Sequence, residues 1–213
     1  MENTNILAPI LIATTLALLF GIVLTFLNLF VKKTPKKENT TMPETDKMTT
    51  AVILCSGVSN VAPEESEYQG YQSCMAAKRV FGGPKACKYG CIGLGDCVQA
   101  CPQNAISICN GLAKIDKEKC NGCGICLEIC PQDIIRIYPR SQRVVAACNS
   151  KDSPEIRSDF CKVACTACGK CVETCPFKAI QIKVGIAKID PNKCVSCGKC
   201  AEVCPQNLIH INK

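Results

Sequence analysis

The sequence predicts an α+β protein: one apolar N-terminal helix, a polar tether, then two copies of a small module whose short strands and helices wrap around cysteines. Three observations carry that prediction. Residues 6–31 are 26 positions without a charge. Residues 105–137 align without a gap on 179–211, at an offset of 74, and 19 of 33 positions are identical, so the two halves are expected to share one fold. The chain of 213 residues also holds 21 cysteines, most of them in tight runs.

The apolar run is long enough to cross a hydrocarbon core of ~30 Å with length to spare for tilt. Lys32, Lys33, Lys36 and Lys37 follow it at once, whereas only Glu2 precedes it. Cationic flanks stay on the cytoplasmic side, so everything after residue 32 is expected there, below a single-pass anchor in the cell membrane. A cleaved signal peptide would need basic residues before the run and a small-residue cleavage site after it. Neither is present. Residues 1–31 therefore read as a transmembrane anchor and 32–50, polar with two prolines, as a flexible linker.

The first module is expected over 51–137 and the second over 138–213. Ala51–Leu54 is apolar and reads as a strand that ends at Cys55; 56–70 reads as a loop. A short helix is expected over Gln72–Val80, broken by Gly82, Gly83 and Pro84. Ala105–Ile108 and Leu112–Asp116 flank a Cys-Asn-Gly turn that favours a tight hairpin, and Ala179–Ile182 with Ile186–Asp190 repeat it. The offset of 74 also relates cysteines upstream of the aligned block: 74 to 148, 87 to 161, 91 to 165, 97 to 171 and 101 to 175.

The chemistry lies in Cys120–Pro131, CNGCGICLEICP, and Cys194–Pro205, CVSCGKCAEVCP. The spacing C-x2-C-x2-C-x3-C-P is that of bacterial two-cluster ferredoxins. Three thiolates wrap one face of a [4Fe–4S] cubane, and the fourth, carried round by the following helix, serves the other cluster of the pair. Structural zinc, which prefers two separated CxxC knuckles, is the weaker reading of the same residues. In the second module Cys165, Cys168, Cys171 and the remote Cys204 are expected to bind one cluster, and Cys194, Cys197, Cys200 and Cys175 the other. In the first module Cys120, Cys123, Cys126 and Cys101 form one set. The other departs from the pattern, because Leu94 stands where the copy has Cys168. Either that site holds three irons or another thiol replaces the missing one. Cys87, four residues before Cys91, is the favoured substitute, giving Cys87, Cys91, Cys97 and Cys130. This makes four [4Fe–4S] clusters on sixteen cysteines. Cys55, Cys74, Cys109, Cys148 and Cys161 are left over and read as small buried hydrophobes, with a redox disulfide or an extra ligand the disfavoured alternative for Cys148 and Cys161. His210, the one histidine, is expected on a surface strand position.

Composition narrows the function further. Aromatic residues are 5% of the chain, too few for a large conventional core, so bound clusters are expected to supply scaffolding. The formal charge of +7 belongs to the chain without clusters. Each four-thiolate cubane adds about −2, so the balance gives no support for nucleic-acid binding. No catalytic triad, phosphate loop or acid–base carboxylate pair is recognisable, so no catalytic residue is assigned. A cluster-bearing chain need only set spacing and potential.

Residues 82–106, GGPKACKYGCIGLGDCVQACPQNAI, the Val-Ile-Leu-Cys-Ser-Gly piece before them and the N-terminal anchor together resemble the iron–sulfur B component of Rnf complexes. The resemblance implies an iron–sulfur subunit of a membrane ion-translocating ferredoxin:NAD oxidoreductase. Electrons would arrive from soluble reduced ferredoxin and leave toward flavin-bearing membrane subunits. That family usually carries a further four-cysteine domain with a CGxCG-type motif between anchor and modules, where this chain has the 32–50 linker. A ferredoxin-like subunit of another membrane oxidoreductase, of hydrogenase or heterodisulfide reductase type, is the alternative.

Overall fold

Both modules are built on the same two-residue turn. Asn110 and Gly111 take φ of 50° and 70°, and Val184 and Gly185 take 51° and 69°. Two successive left-handed residues twist a hairpin the way its strands require. The resulting hairpins are β2 (Ile106–Cys109) with β3 (Leu112–Ile115), and β6 (Ile180–Lys183) with β7 (Ile186–Ile189). Ile106 pairs with Ile115 in one and Ile180 with Ile189 in the other, as the repeat predicts.

The computed structural model describes residues 16–25 and 49–211. The first stretch is an exposed helix, α1. It lies inside the expected 6–31 anchor, most of which falls outside the described residues, as does the linker up to residue 48. Among the described residues no helix is long and apolar enough to cross a membrane.

Each module adds a second two-stranded antiparallel sheet. β1 (Thr49–Ile53) pairs with β4 (Ile135–Pro139), and β5 (Val144–Ala146) pairs with β8 (Ile209–Ile211). Ile53 lies opposite Ile135, and Ala146 lies opposite Ile209, the residue 74 positions on. Leu54 N–H then donates to Ile134 C=O as Ala147 N–H donates to Leu208 C=O. Structurally, therefore, Cys55 corresponds to Cys148. The sequence offset pairs Cys74 with Cys148 instead, and the structure corrects that equivalence. The cause is an insertion: 32 positions separate Cys55 from Cys87, against 13 between Cys148 and Cys161.

The insertion carries α2 (Cys74–Phe81), near the helix expected over 72–80. Ser73 caps its N-terminus and Gly82, at φ 76°, closes its C-terminus. The counterpart in the second module is α5 (Pro154–Phe160), capped by Ser153. Four one-turn helices complete the fold: α3 (Asp96–Gln99), α4 (Ile125–Ile129), α6 (Lys170–Thr174) and α7 (Lys199–Glu202).

The cores are made of small aliphatics and sulfur. Around Val52, Leu54, Ile106, Ile134 and Ile135 stand Cys91, Cys97 and Cys126; around Val144, Ile180, Ile186 and Leu208 stand Cys165, Cys171 and Cys200. No aromatic side chain is among the buried core residues described.

Val184 is the weak point of the repeated turn. It is 77% exposed, and a β-branched residue in the left-handed region costs about 1–2 kcal/mol without any burial in return. Val184→Asn is expected to restore the Asn-Gly turn and raise the melting temperature of the purified protein by a few degrees, read by circular dichroism under anaerobic conditions.

Candidate metal centres

Four loops of one design hold the cysteine runs. The residue before each second ligand position is left-handed: Gly93 at φ 86°, Gly122 at 72°, Ala167 at 55° and Ser196 at 57°. Two residues later a left-handed glycine, Gly95, Gly124, Gly169 or Gly198, opens the short helix that follows. This path turns the chain tightly enough for three side chains to face one point. The third cysteine of each run falls on the helix and is buried: Cys97, Cys126, Cys171 and Cys200 are 6–8% exposed. At Gly93 the bend also brings backbone against backbone, since a Cβ there would lie 2.5 Å from Gly111 O.

In the second module, Cys165, Cys168, Cys171 and Cys204 line one space, walled by Ile182, Leu208 and Ile209. Burial, then Cys165, Cys168 and Cys204, push the Cys171 thiol up to about 11. Cys200 is raised to about 11 by burial first, with Cys194, Cys171 and Cys175 adding to it. In the first module burial raises Cys126 to about 11, with Cys120, Cys123 and Cys101 adding to it. Such thiols stay protonated on their own. A cationic iron–sulfur core is what makes the thiolate favourable there. Backbone N–H groups already point at several sulfurs: Ala51 at Cys120, Ala113 at Cys91, Ala105 at Cys101 and Ala179 at Cys175, each at 3.4 Å. Hydrogen bonds to sulfur of this kind help set a cluster's potential.

The Leu94 loop keeps the path of the other three, and the expected Cys87 is not among the residues that line the space beside it. Cys91, Cys97 and Cys130 share a space with Cys74, while Cys87 lines a different cavity. Cys97, raised to about 12 mainly by burial, feels Cys91, Cys74 and Cys130. Leu94 packs beside Cys74, Ala77 and Ile92. The inserted helix thus presents its first residue where the loop has lost its own thiol. Asp96 fixes it there. Its carboxylate accepts from Ser73 Oγ at 2.9 Å, Cys74 N at 2.8 Å and Met75 N at 3.1 Å. Lys170 occupies the position of Asp96 in the second module. Asp96 was the signal available in the sequence, an acid where the copy has a base.

Among the described residues no three Cys, His, Asp or Glu side chains converge on a point that would suit a single metal ion. The thiols instead ring mainly apolar spaces in sets of four, a donor set that suits a polynuclear cluster. His210, on β8, lies outside every one of these rings, exposed and 2.5 Å from Ser56 Oγ.

The sequence matches the 4Fe-4S dicluster domain family three times, over residues 86–134, 119–179 and 164–208, and the chain belongs to that family. It is also similar to three curated proteins, each the B component of an ion-translocating complex. That of the Na(+)-translocating ferredoxin:NAD(+) oxidoreductase complex of Acetobacterium woodii is 43% identical over 144 residues, 67% of this chain and 43% of that protein. That of the proton-translocating ferredoxin:NAD(+) oxidoreductase complex of Clostridium ljungdahlii is 48% identical over 141 residues, 66% of this chain and 50% of that one. That of the ion-translocating oxidoreductase complex of Methanosarcina acetivorans is 35% identical over 142 residues, 66% of this chain and 54% of that one. The chain spans about half the length of these relatives.

Asp96→Ala removes three hydrogen bonds at the start of α2, and a lost cap costs about 1 kcal/mol before any effect on Cys74. Iron content is expected to fall by up to about four atoms per chain on prolonged dialysis, one cubane's worth. Lys170→Ala, the matched control, is expected to lose none.

Proposed function

We propose that the protein is the membrane-anchored iron–sulfur electron-transfer subunit of an Rnf-type complex, taking electrons from reduced ferredoxin and relaying them to membrane partners. The observation that carries this reading is the set of four equivalent loops in a family of 4Fe-4S dicluster domains. Its support comes from the names of the relatives, each a component of an ion-translocating oxidoreductase complex.

Four cubanes are assigned to the two modules. Cys74, Cys91, Cys97 and Cys130 hold the first; Cys101, Cys120, Cys123 and Cys126 the second. Cys165, Cys168, Cys171 and Cys204 hold the third, and Cys175, Cys194, Cys197 and Cys200 the fourth. The clusters supply one-electron redox chemistry, and the chain binds, spaces and insulates them. Remote cysteines such as Cys130 and Cys204 cross from one loop to its partner, so each module folds around both sites together. Cys168 and Cys197 are exposed, whereas Cys91, Cys97, Cys165 and Cys171 are buried. The outer edges of the second module are thus open to a docking protein, while the inner faces are shielded from water. The membrane anchor at 6–31 and the cytoplasmic side of the modules rest on the charge pattern.

Mixed anaerobically with chemically reduced ferredoxin, the iron-loaded protein is expected to lose visible absorbance as its clusters reduce. If dithionite bleaches it and ferredoxin does not, and no flavin-bearing membrane subunits copurify, the protein belongs to another oxidoreductase. Deleting residues 1–31 is expected to release a soluble brown protein with its iron content unchanged, since no assigned ligand lies there. A truncated protein that stays on membranes stripped of its partners would overturn the anchor.

A further inference from the structure

Four of the five cysteines outside those sets meet in one place. We propose that Cys55, Cys87, Cys148 and Cys161 form a fifth [4Fe–4S] site, built between the two modules and completed by neither alone.

The four thiols line a single cavity, as four thiols line each of two sites assigned above. Its other walls are mainly apolar and include Leu54, Ala147, Phe160 and Val163. Cys55 Sγ accepts from Gly57 N and from Cys91 N, both at 3.4 Å. A Cβ on Gly57 would stand 3.6 Å from Cys55 Sγ and 3.9 Å from Cys161 Sγ, so this glycine lies against both sulfurs. The Cys87 thiol, pushed up to about 11 chiefly by burial, also feels Cys55, Cys148 and Cys161 as neighbours.

The site has the symmetry of the duplication. Cys55 and Cys148 each stand two residues beyond an equivalent edge strand, β1 and β5. Cys87 and Cys161 each stand four residues before the first cysteine of an equivalent loop, Cys91 and Cys165. Each module therefore gives the same two thiols, and together they give four. The repeat kept both members of each pair although the intervening segments differ by 19 residues.

Charge supplies an independent argument. Lys85 is 2% exposed and Arg157 0%, and both line this cavity. Lys85 Nζ donates to Gly57 O at 3.1 Å and Gly111 O at 2.5 Å. Arg157 donates from Nη1 to Gly185 O at 3.0 Å, from Nη2 to Asp152 O and from Nε to Ser153 O. Gly111 and Gly185 are equivalent turn residues, so the two cations are themselves a related pair. Neither forms an ion pair with a carboxylate among the described residues. A buried cation without a counter-ion is costly. A four-thiolate cubane, at about −2 in its oxidised state, is a counter-ion of matching size.

The position also gives the site a task. Cys91 belongs to the first module's inner site and its N–H bonds Cys55 Sγ; Ala164, beside Cys165 of the second module's inner site, lines the cavity. A one-electron carrier here joins the two modules: it is reduced as a neighbouring cluster is oxidised, with no bond made or proton moved. Only Cys109, exposed on the first hairpin, is then left without a metal site.

The test uses the full-length protein, purified anaerobically in detergent and reconstituted with iron and sulfide. Wild type is expected to hold about twenty irons per chain, and Cys87→Ala/Cys161→Ala about sixteen, with acid-labile sulfide falling in step. Iron that is equal in the two proteins, or wild type saturating near sixteen, overturns the fifth site and leaves the four module sites standing. Little or no iron in either protein overturns the functional reading itself. One zinc per chain that disappears in the double variant also overturns the cubane. Arg157→Gln retains all four thiols and reports separately from folding. One component of the EPR redox titration is expected to move to more negative potential, because reduction adds negative charge that Arg157 offsets. Unchanged potentials for every component would argue against a cluster at this cavity.

Discussion

A chain with so few large side chains depends on one constraint: its buried thiols must be gathered in fours around spaces that no side chain fills. Elsewhere in small domains a close-packed core of leucines and aromatics sets the fold. Here Ile, Val and Ala line the walls, and the sulfurs of Cys91, Cys97, Cys126, Cys165, Cys171 and Cys200 occupy their inner faces. Gathering distant thiols closes loops and releases protons when metal binds, so binding and folding are one event in such a protein.

That constraint explains the backbone. The left-handed residues before each second ligand position, and the left-handed glycines before each third, appear in all four loops, including the one that lost its second cysteine. The thiol that lines that loop's space from outside the loop is Cys74, the first residue of α2. The helix is short, but its N-terminus is held by Ser73 and by the Asp96 carboxylate, the group best suited to a helix start. Asp96 thus fixes where Cys74 sits.

The same economy shapes the contact between modules. Lys162 N–H donates to Val61 C=O, Asn149 Nδ2 donates to Asp133 O, and Ser56 meets His210. Val145, on β5 of the second module, packs into the core of the first. These links are few and mostly polar. The proposed fifth site lies among them, with two thiols and one buried cation from each side, and would give this boundary much of its strength.

Much of this was legible in the sequence. Regular cysteine spacing set the four loops, because ligands two residues apart can reach one cubane only by a narrow backbone path. Asn110–Gly111 marked the hairpin, and the gapless offset of 74 carried the hairpin and its register to the second module. Which thiol stands opposite Leu94 was not legible, because nearness along the chain favours Cys87 whereas nearness in space favours Cys74. The offset failed for the same reason upstream of residue 87, where an insertion shifts the numbering while β1 and β5 keep equivalent places. Local spacing dictates what a few consecutive residues can ligate. How residues 55, 87, 148 and 161 meet depends on pairing two sheets and packing two modules, and no spacing rule encodes that.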